Sequence, residues 1–142
     1  MQYPRCNHTV ITDNKRYIYI LGSRFPAAAN KVERIDTETQ VCTELPSLIT
    51  GGKNLSCCFF RSGMNEESIY CLSKGSSIQV LKIVYENTNS GQRQWQEIKI
   101  KDSSLISSNY RQGLIQINAN QILIYGGENM LSCKDTKSSL LM

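Results

Sequence analysis

Apolar and polar positions along the chain fall into three copies of one pattern. Each copy holds a block of apolar residues closed by small or polar ones: Arg16–Ser23 (RYIYILGS), Glu67–Lys74 (ESIYCLSK) and Asn120–Gly127 (NQILIYGG). Leu21 to Leu72 is 72 − 21 = 51 positions, and Leu72 to Tyr125 is 125 − 72 = 53. Tyr17–Leu21 and Ile122–Tyr125 are apolar without alternation, which predicts strands covered on both faces. A short apolar run precedes each block, at Val10-Ile11, Cys58-Phe59-Phe60 and Leu114-Ile115. Turn-formers at Asp13-Asn14, Ser62-Gly63 and Asn118-Ala119-Asn120 separate run from block. The expected element is therefore a hairpin, repeated three times.

Further landmarks keep the register. Val32–Thr37 precedes Ile83–Thr88 by 51 positions, and in each an Asp or Asn followed by Thr starts a turn. Cys42-Thr43-Glu44-Leu45 precedes Trp95-Gln96-Glu97-Ile98 by 53; the extra two residues fall in the turn Asn87–Gln92. Trp95 to Ile100 alternates only partly, as an edge strand does. Gly51-Gly52 does not mark a rival register, because the next double glycine lies 126 − 51 = 75 residues on, no multiple of the period. Few windows keep a helical i, i+3, i+4, i+7 spacing, so the expected class is all-β. The expected units are 1–50, 51–104 (degenerate) and 105–142 (partial).

A period near fifty with a glycine pair after a buried strand is the signature of four-stranded propeller blades. The chain resembles kelch repeats over nearly its whole length: Tyr3-Pro4-Arg5 with His8, the Arg16–Ser23 block, Val32–Thr37 and Glu44–Leu48 look like one complete repeat. Only the third unit has the family's double glycine, Gly126-Gly127; the others have Gly22-Ser23 and Ser73-Lys74, and the family's tryptophan is present only as Trp95. The resemblance implies a kelch-type β-propeller of about two and a half blades. Closed propellers have about four to eight. The ring is then completed by missing blades of a longer protein or by another chain, and the isolated chain is expected to associate through uncovered blade faces.

The resemblance also implies where a partner would bind. In kelch propellers the loops after the double glycine and the loops entering each blade share one face. Those positions are Ser23, Arg24, Phe25, Lys74, Glu128 and Asn129, and Arg5, Lys53, Asn54, Tyr110 and Arg111. Arg5, Arg24, Lys53, Lys74 and Arg111 would make a cationic rim which, with Phe25 and Tyr110, suits an acidic protein segment.

Composition narrows the chemistry. The 142 residues carry a net charge of +4 without a Lys/Arg-rich run, and Gly51-Gly52-Lys53 lacks P-loop spacing, so neither nucleic acid nor a cofactor is expected. His8 is the single histidine and no G-x-S-x-G elbow accompanies it, which argues against a hydrolase triad, a zinc centre and the copper chemistry of some propellers. The six cysteines form no C-x-x-C pair, and Cys42, Cys58 and Cys71 occupy apolar strand positions, so free buried thiols are expected. No stretch is long and apolar enough for a membrane span or a signal core, which leads us to expect an intracellular, cytoplasmic protein. The expected function is a non-catalytic protein-binding, scaffold or adaptor module. The alternative is the wall of a propeller enzyme whose catalytic residues lie outside this segment.

Overall fold

The computed structural model describes residues 1–63, 66–72, 77–83, 94–99, 110–128 and 139–141; for 110, 111, 127, 128 and 139–141 this means the backbone alone. The fold is all-β. Eleven described strands form three antiparallel sheets that take successive stretches of chain. The first contains β1 (Thr9–Thr12), β2 (Tyr17–Leu21), β3 (Val32–Asp36) and β4 (Cys42–Leu45), hydrogen-bonded in that order. The second contains β5 (Ser56–Arg61), β6 (Glu67–Leu72), β7 (Ser77–Ile83) and β8 (Gln96–Lys99), again in chain order. In the third, β10 (Gln121–Glu128) lies between β9 (Tyr110–Asn118) and β11 (Ser139–Leu141). Among the described residues the one helical element is a 3-10 turn, Pro26–Ala28, and no helix is long and apolar enough to cross a membrane.

The three apolar blocks take the central positions expected of them, each paired on both sides. Among the described residues β8 pairs only with β7, and its four residues are exposed, as the partial alternation of Gln96–Lys99 anticipates. The turns form where the sequence places them: Asn14 and Gly63 have φ of 59° and 85°, and Asp36 Oδ1 accepts the Glu38 N–H at 3.0 Å to open the β3–β4 turn. Ser73, Lys74 and Asn87–Gln92 lie outside the described residues.

One expectation is corrected. The double glycine does not end its strand: β10 runs through Gly126 and Gly127 to pair Glu128 with Tyr110. Gly126 takes φ 67° without leaving the ladder. Gly22, at φ 68°, has a steric duty as well, since a Cβ there would lie 2.4 Å from the Gly52 carbonyl oxygen. Gly51 is similarly confined, with Ala29 O 2.2 Å from the site of a Cβ. Gly51-Gly52 therefore seats the link between the first two sheets against the β2–β3 loop.

The sheets stack face to face through two apolar clusters. Directly opposed residues share a face, so register alone assigns them. The first sheet's forward face, Ile11, Tyr17, Tyr19, Leu21 and Val32, meets the second sheet's back face, Cys57, Phe59, Ile69, Cys71, Leu81 and Ile83. The second sheet's forward face, with Phe60, Tyr70, Leu72 and Val80, meets Leu114, Ile122 and Ile124 of the third. Trp95 is buried among residues of the first two sheets, and its indole N–H donates to Pro46 O at 2.9 Å. Trp95 thus joins two sheets rather than packing between strands of its own.

The described cysteines, Cys6, Cys42, Cys57, Cys58 and Cys71, are free thiols; Cys133 lies outside the described residues. Burial, with Cys71 nearby, pushes the Cys58 thiol up to about 12, far from the thiolate range in which cysteine reacts. Native-state alkylation mapped by mass spectrometry is expected to leave Cys58 and Cys71 unmodified until urea unfolds the chain. Rapid labelling of either would place it at the surface.

Candidate interaction face

Antiparallel order fixes which loops share an end. Thr9 pairs with Leu21 and Ser56 with Leu72, so the β2–β3 loop and the segments entering β1 and β5 converge. The loop is stitched there by backbone bonds: Ser23 N–H donates to Gly52 O at 2.9 Å, Arg24 N–H to Cys6 O at 2.9 Å, and Asn54 N–H to Asn7 O at 3.0 Å. The buried Ser23 hydroxyl accepts the Phe25 N–H at 3.0 Å, which fixes the loop while Arg24 and Phe25 stay exposed. Lys53, also exposed, follows Gly52. Arg24, Phe25 and Lys53 thus share one rigid end of the sheet stack.

Arg5 does not join them. Its guanidinium is fully buried against the equally buried Glu33 carboxylate, at 2.9 Å from Nη2 to Oε2 and 2.9 Å from Nε to Oε2. Nη1 donates to Gly22 O, Ala28 O and Lys31 O at 2.8, 3.3 and 3.0 Å. These bonds hold the β2–β3 loop from inside, so Arg5 shapes the rim and offers no cation to a partner. Tyr110 and Arg111 open β9, with the backbone alone described, and Lys74 and Asn129 lie outside the described residues.

Glu33 belongs to a device that the sequence pattern missed. It sits on β3, opposite Ile20, and accepts the backbone N–H of Gln2. In the second sheet the buried Gln79, opposite Cys71, accepts Ile49 N–H at 2.7 Å and Thr50 N–H at 3.1 Å and donates to Thr50 O at 2.7 Å. Gln2 and Ile49 are 47 positions apart, as are Thr9 and Ser56, which occupy equivalent positions at the starts of β1 and β5. Asn7 and Asn54 share that offset and φ values of 52° and 54°. A buried polar residue on the third strand thus clamps the segment leading into the same sheet. A legible signal was the parity of Val-Glu-Arg-Ile-Asp: Glu33 falls on the same face as Ile20 and Ile35, where a carboxylate requires a cation.

The other end of the first strands carries a groove of about 380 Å3 lined by Thr12, Asp13, Phe59, Arg61, Leu114 and Gln116 among others. Its polar groups are engaged in structure. Arg61 donates to Asp13 O at 2.5 Å and to Glu67 at 2.6 Å, while Gln116 exchanges bonds with both backbone groups of Arg61 at 3.0 and 2.7 Å. Burial alone would raise the Asp13 carboxyl, but N–H groups of Lys15, Tyr17 and Arg16, with Arg61 nearby, hold it below the usual range. Such a carboxylate is a fixed acceptor rather than a proton carrier at neutral pH. No group of three metal-ligating side chains occurs among the described residues. No family model and no curated protein matches the chain.

Proposed function

We propose that this chain forms part of a kelch-type β-propeller and acts as a non-catalytic protein-binding module. Three stacked antiparallel sheets, the first two four-stranded and carrying clamps at equivalent positions, support the propeller reading. β1, β5 and β9, whose neighbours include one another, would then line the central channel. The observation carrying the binding reading is the convergence of Arg24, Phe25 and Lys53 on one end, on backbone held by the Ser23, Cys6 and Gly52 bonds. An acidic segment with an apolar side chain fits that chemistry: two exposed cations attract it, and Phe25, 49% exposed, gives it an apolar contact.

The test is an anisotropy screen of Asp/Glu-rich peptides against the native chain and the Arg24→Glu, Lys53→Glu double variant. Exposed ion pairs contribute about 0 to 1 kcal/mol each, so binding is expected to weaken about 3- to 30-fold, with a flatter salt dependence. Equal affinities with equal salt slopes would remove this end as the binding surface.

A further inference from the structure

Cys57 and Cys71 stand directly opposite each other on β5 and β6, in a ladder whose register is unbroken from Ser56 and Leu72 to Arg61 and Glu67. The type of pair they form follows from the turn. Ser62 N–H donates to Glu66 O at 3.0 Å, which makes those two a hydrogen-bonded pair, and pair types alternate along an antiparallel ladder. Counting back, Phe60 with Ser68, Cys58 with Tyr70 and Ser56 with Leu72 are hydrogen-bonded pairs, and Cys57 with Cys71 falls between two of them. In such a non-hydrogen-bonded pair the Cα atoms approach to about 4.5 Å and the side chains are at their closest. A disulfide spans Cα atoms about 4.4 to 6.8 Å apart. Both side chains also pack in the cluster that the second sheet shares with the first. Cys58, next in sequence, packs in the other cluster, against the third sheet, and so points away from both.

We propose that Cys57 and Cys71 are a site of reversible oxidation, closing to a cross-strand disulfide under hydrogen peroxide without displacing either strand. The inference is independent of the propeller reading. One sulfur attacks a peroxide oxygen as the O–O bond breaks, giving a sulfenic acid and a first water. The second sulfur then attacks the first; the S–O bond breaks and the S–S bond forms as a second water leaves. Both thiol protons end in water, and the two electrons lost by the pair reduce one peroxide. Cys57, partly buried where Cys71 is fully so, takes the first step. Burial, and then the Cys71 thiol beside it, holds the Cys57 thiol well above the usual cysteine range. Closure therefore answers sustained oxidation rather than a brief pulse. The bond closes a ring of 71 − 57 + 1 = 15 residues around the β5–β6 turn. That ring contains Arg61, whose backbone groups bond Gln116 of the third sheet, and Phe59, which stacks on Tyr19 of the first. Oxidation thus fixes the hairpin that ties the second sheet to both neighbours.

The experiment exposes the reduced full chain, folded in native buffer, to hydrogen peroxide overnight. Catalase ends the reaction, and iodoacetamide in urea then counts the remaining thiols by intact mass. Of the six cysteines, four are expected to alkylate, proteolytic mapping is expected to find Cys57 linked to Cys71, and dithiothreitol is expected to restore all six. Cys58→Ser is expected to close as the native chain does and Cys57→Ser to lose the link. If circular dichroism shows either variant to be unfolded, fragmentation of the linked native peptide makes the same distinction. Because a ring of that size constrains the unfolded chain, oxidation is expected to raise Tm by about 5 to 10 °C. Six reactive thiols after exposure overturn the proposal, as does a link that uses Cys58 or any cysteine outside the pair. A link between Cys57 and Cys71 that lowers Tm overturns it too, by showing that closure displaces the strands.

Discussion

Arg5→Ala is expected to destabilise the chain by about 3 to 5 kcal/mol, because it leaves the Glu33 carboxylate buried without its cation. Removing Arg5 also strips the donors that hold Gly22 O, Ala28 O and Lys31 O together. The double change Arg5→Met, Glu33→Gln should recover part of the loss, since an apolar and neutral pair carries no desolvated charge. Acid supplies an independent check. Burial works to raise the Glu33 carboxyl, but the Gln2 N–H, the Cys42 thiol and Arg5 together hold it below its ordinary value. A carboxylate depressed in the folded state stabilises above its unfolded pKa, about 4.3, and that contribution disappears as pH falls through the lower folded value. The native chain should therefore lose stability toward acid. The deficit of Arg5→Ala relative to it should shrink there, as Glu33 becomes neutral in both. Urea midpoints at neutral and acid pH measure this; an equal deficit at both would show that the cation does not compensate Glu33.

Trp95→Ala is expected to cost about 3 to 5 kcal/mol, and the loss should act on the junction between the first two sheets. Besides the cavity, it leaves Pro46 O without its indole donor. Trp95→Phe keeps most of the packing and should lose about 1 kcal/mol, the worth of one hydrogen bond. Calorimetry decides. A Trp95→Ala loss below about 0.5 kcal/mol would move this side chain to the surface, where substitutions have effects of that size.

How far the sequence reached depended on the kind of force involved. Burial repeats with a period, so Tyr17–Leu21, Ile69–Leu72 and Ile122–Tyr125 announced central strands, and the polar breaks at Asp13-Asn14 and Ser62-Gly63 announced turns. The interfaces could be assigned only once strand pairing was known, because a residue's face follows from its position in a register. Arg5 was misplaced for the converse reason. A cation near a loop reads as solvated charge, and what draws it inside is Glu33, 28 residues away and on a strand whose apolar neighbours hid it. Trp95 lay near a strand start as expected, but its burial against Pro46 depends on how two sheets meet, which no local spacing encodes. On the interaction face, a loop at Ser23–Phe25 was legible, whereas the backbone bonds to Cys6 and Gly52 that hold it beside Lys53 were not.

The links between sheets have a bearing on how such an array can change over time. Thr9 Oγ1 donates to Leu55 O at 2.5 Å, Ser56 Oγ to Gln112 O, Trp95 to Pro46 O, and Gln116 bonds both backbone groups of Arg61. In each, a side chain of one unit addresses only the main chain of its neighbour. Among the described residues, the side-chain to side-chain hydrogen bonds Lys15 to Glu67 and Asn7 to Asn54, which join units, are long, at 3.5 and 3.4 Å. A main-chain group is present whatever residue carries it. These hydrogen bonds therefore tolerate side-chain drift in the neighbouring unit, while the stacked apolar faces still have to fit one another. Gly113 departs from the hydrogen-bond pattern. It stands where Thr9 and Ser56 stand in the earlier units and has no hydroxyl to donate; a Cβ there would lie 2.3 Å from the Tyr125 ring. At this position the room that a hydroxyl side chain would take is filled by the Tyr125 ring.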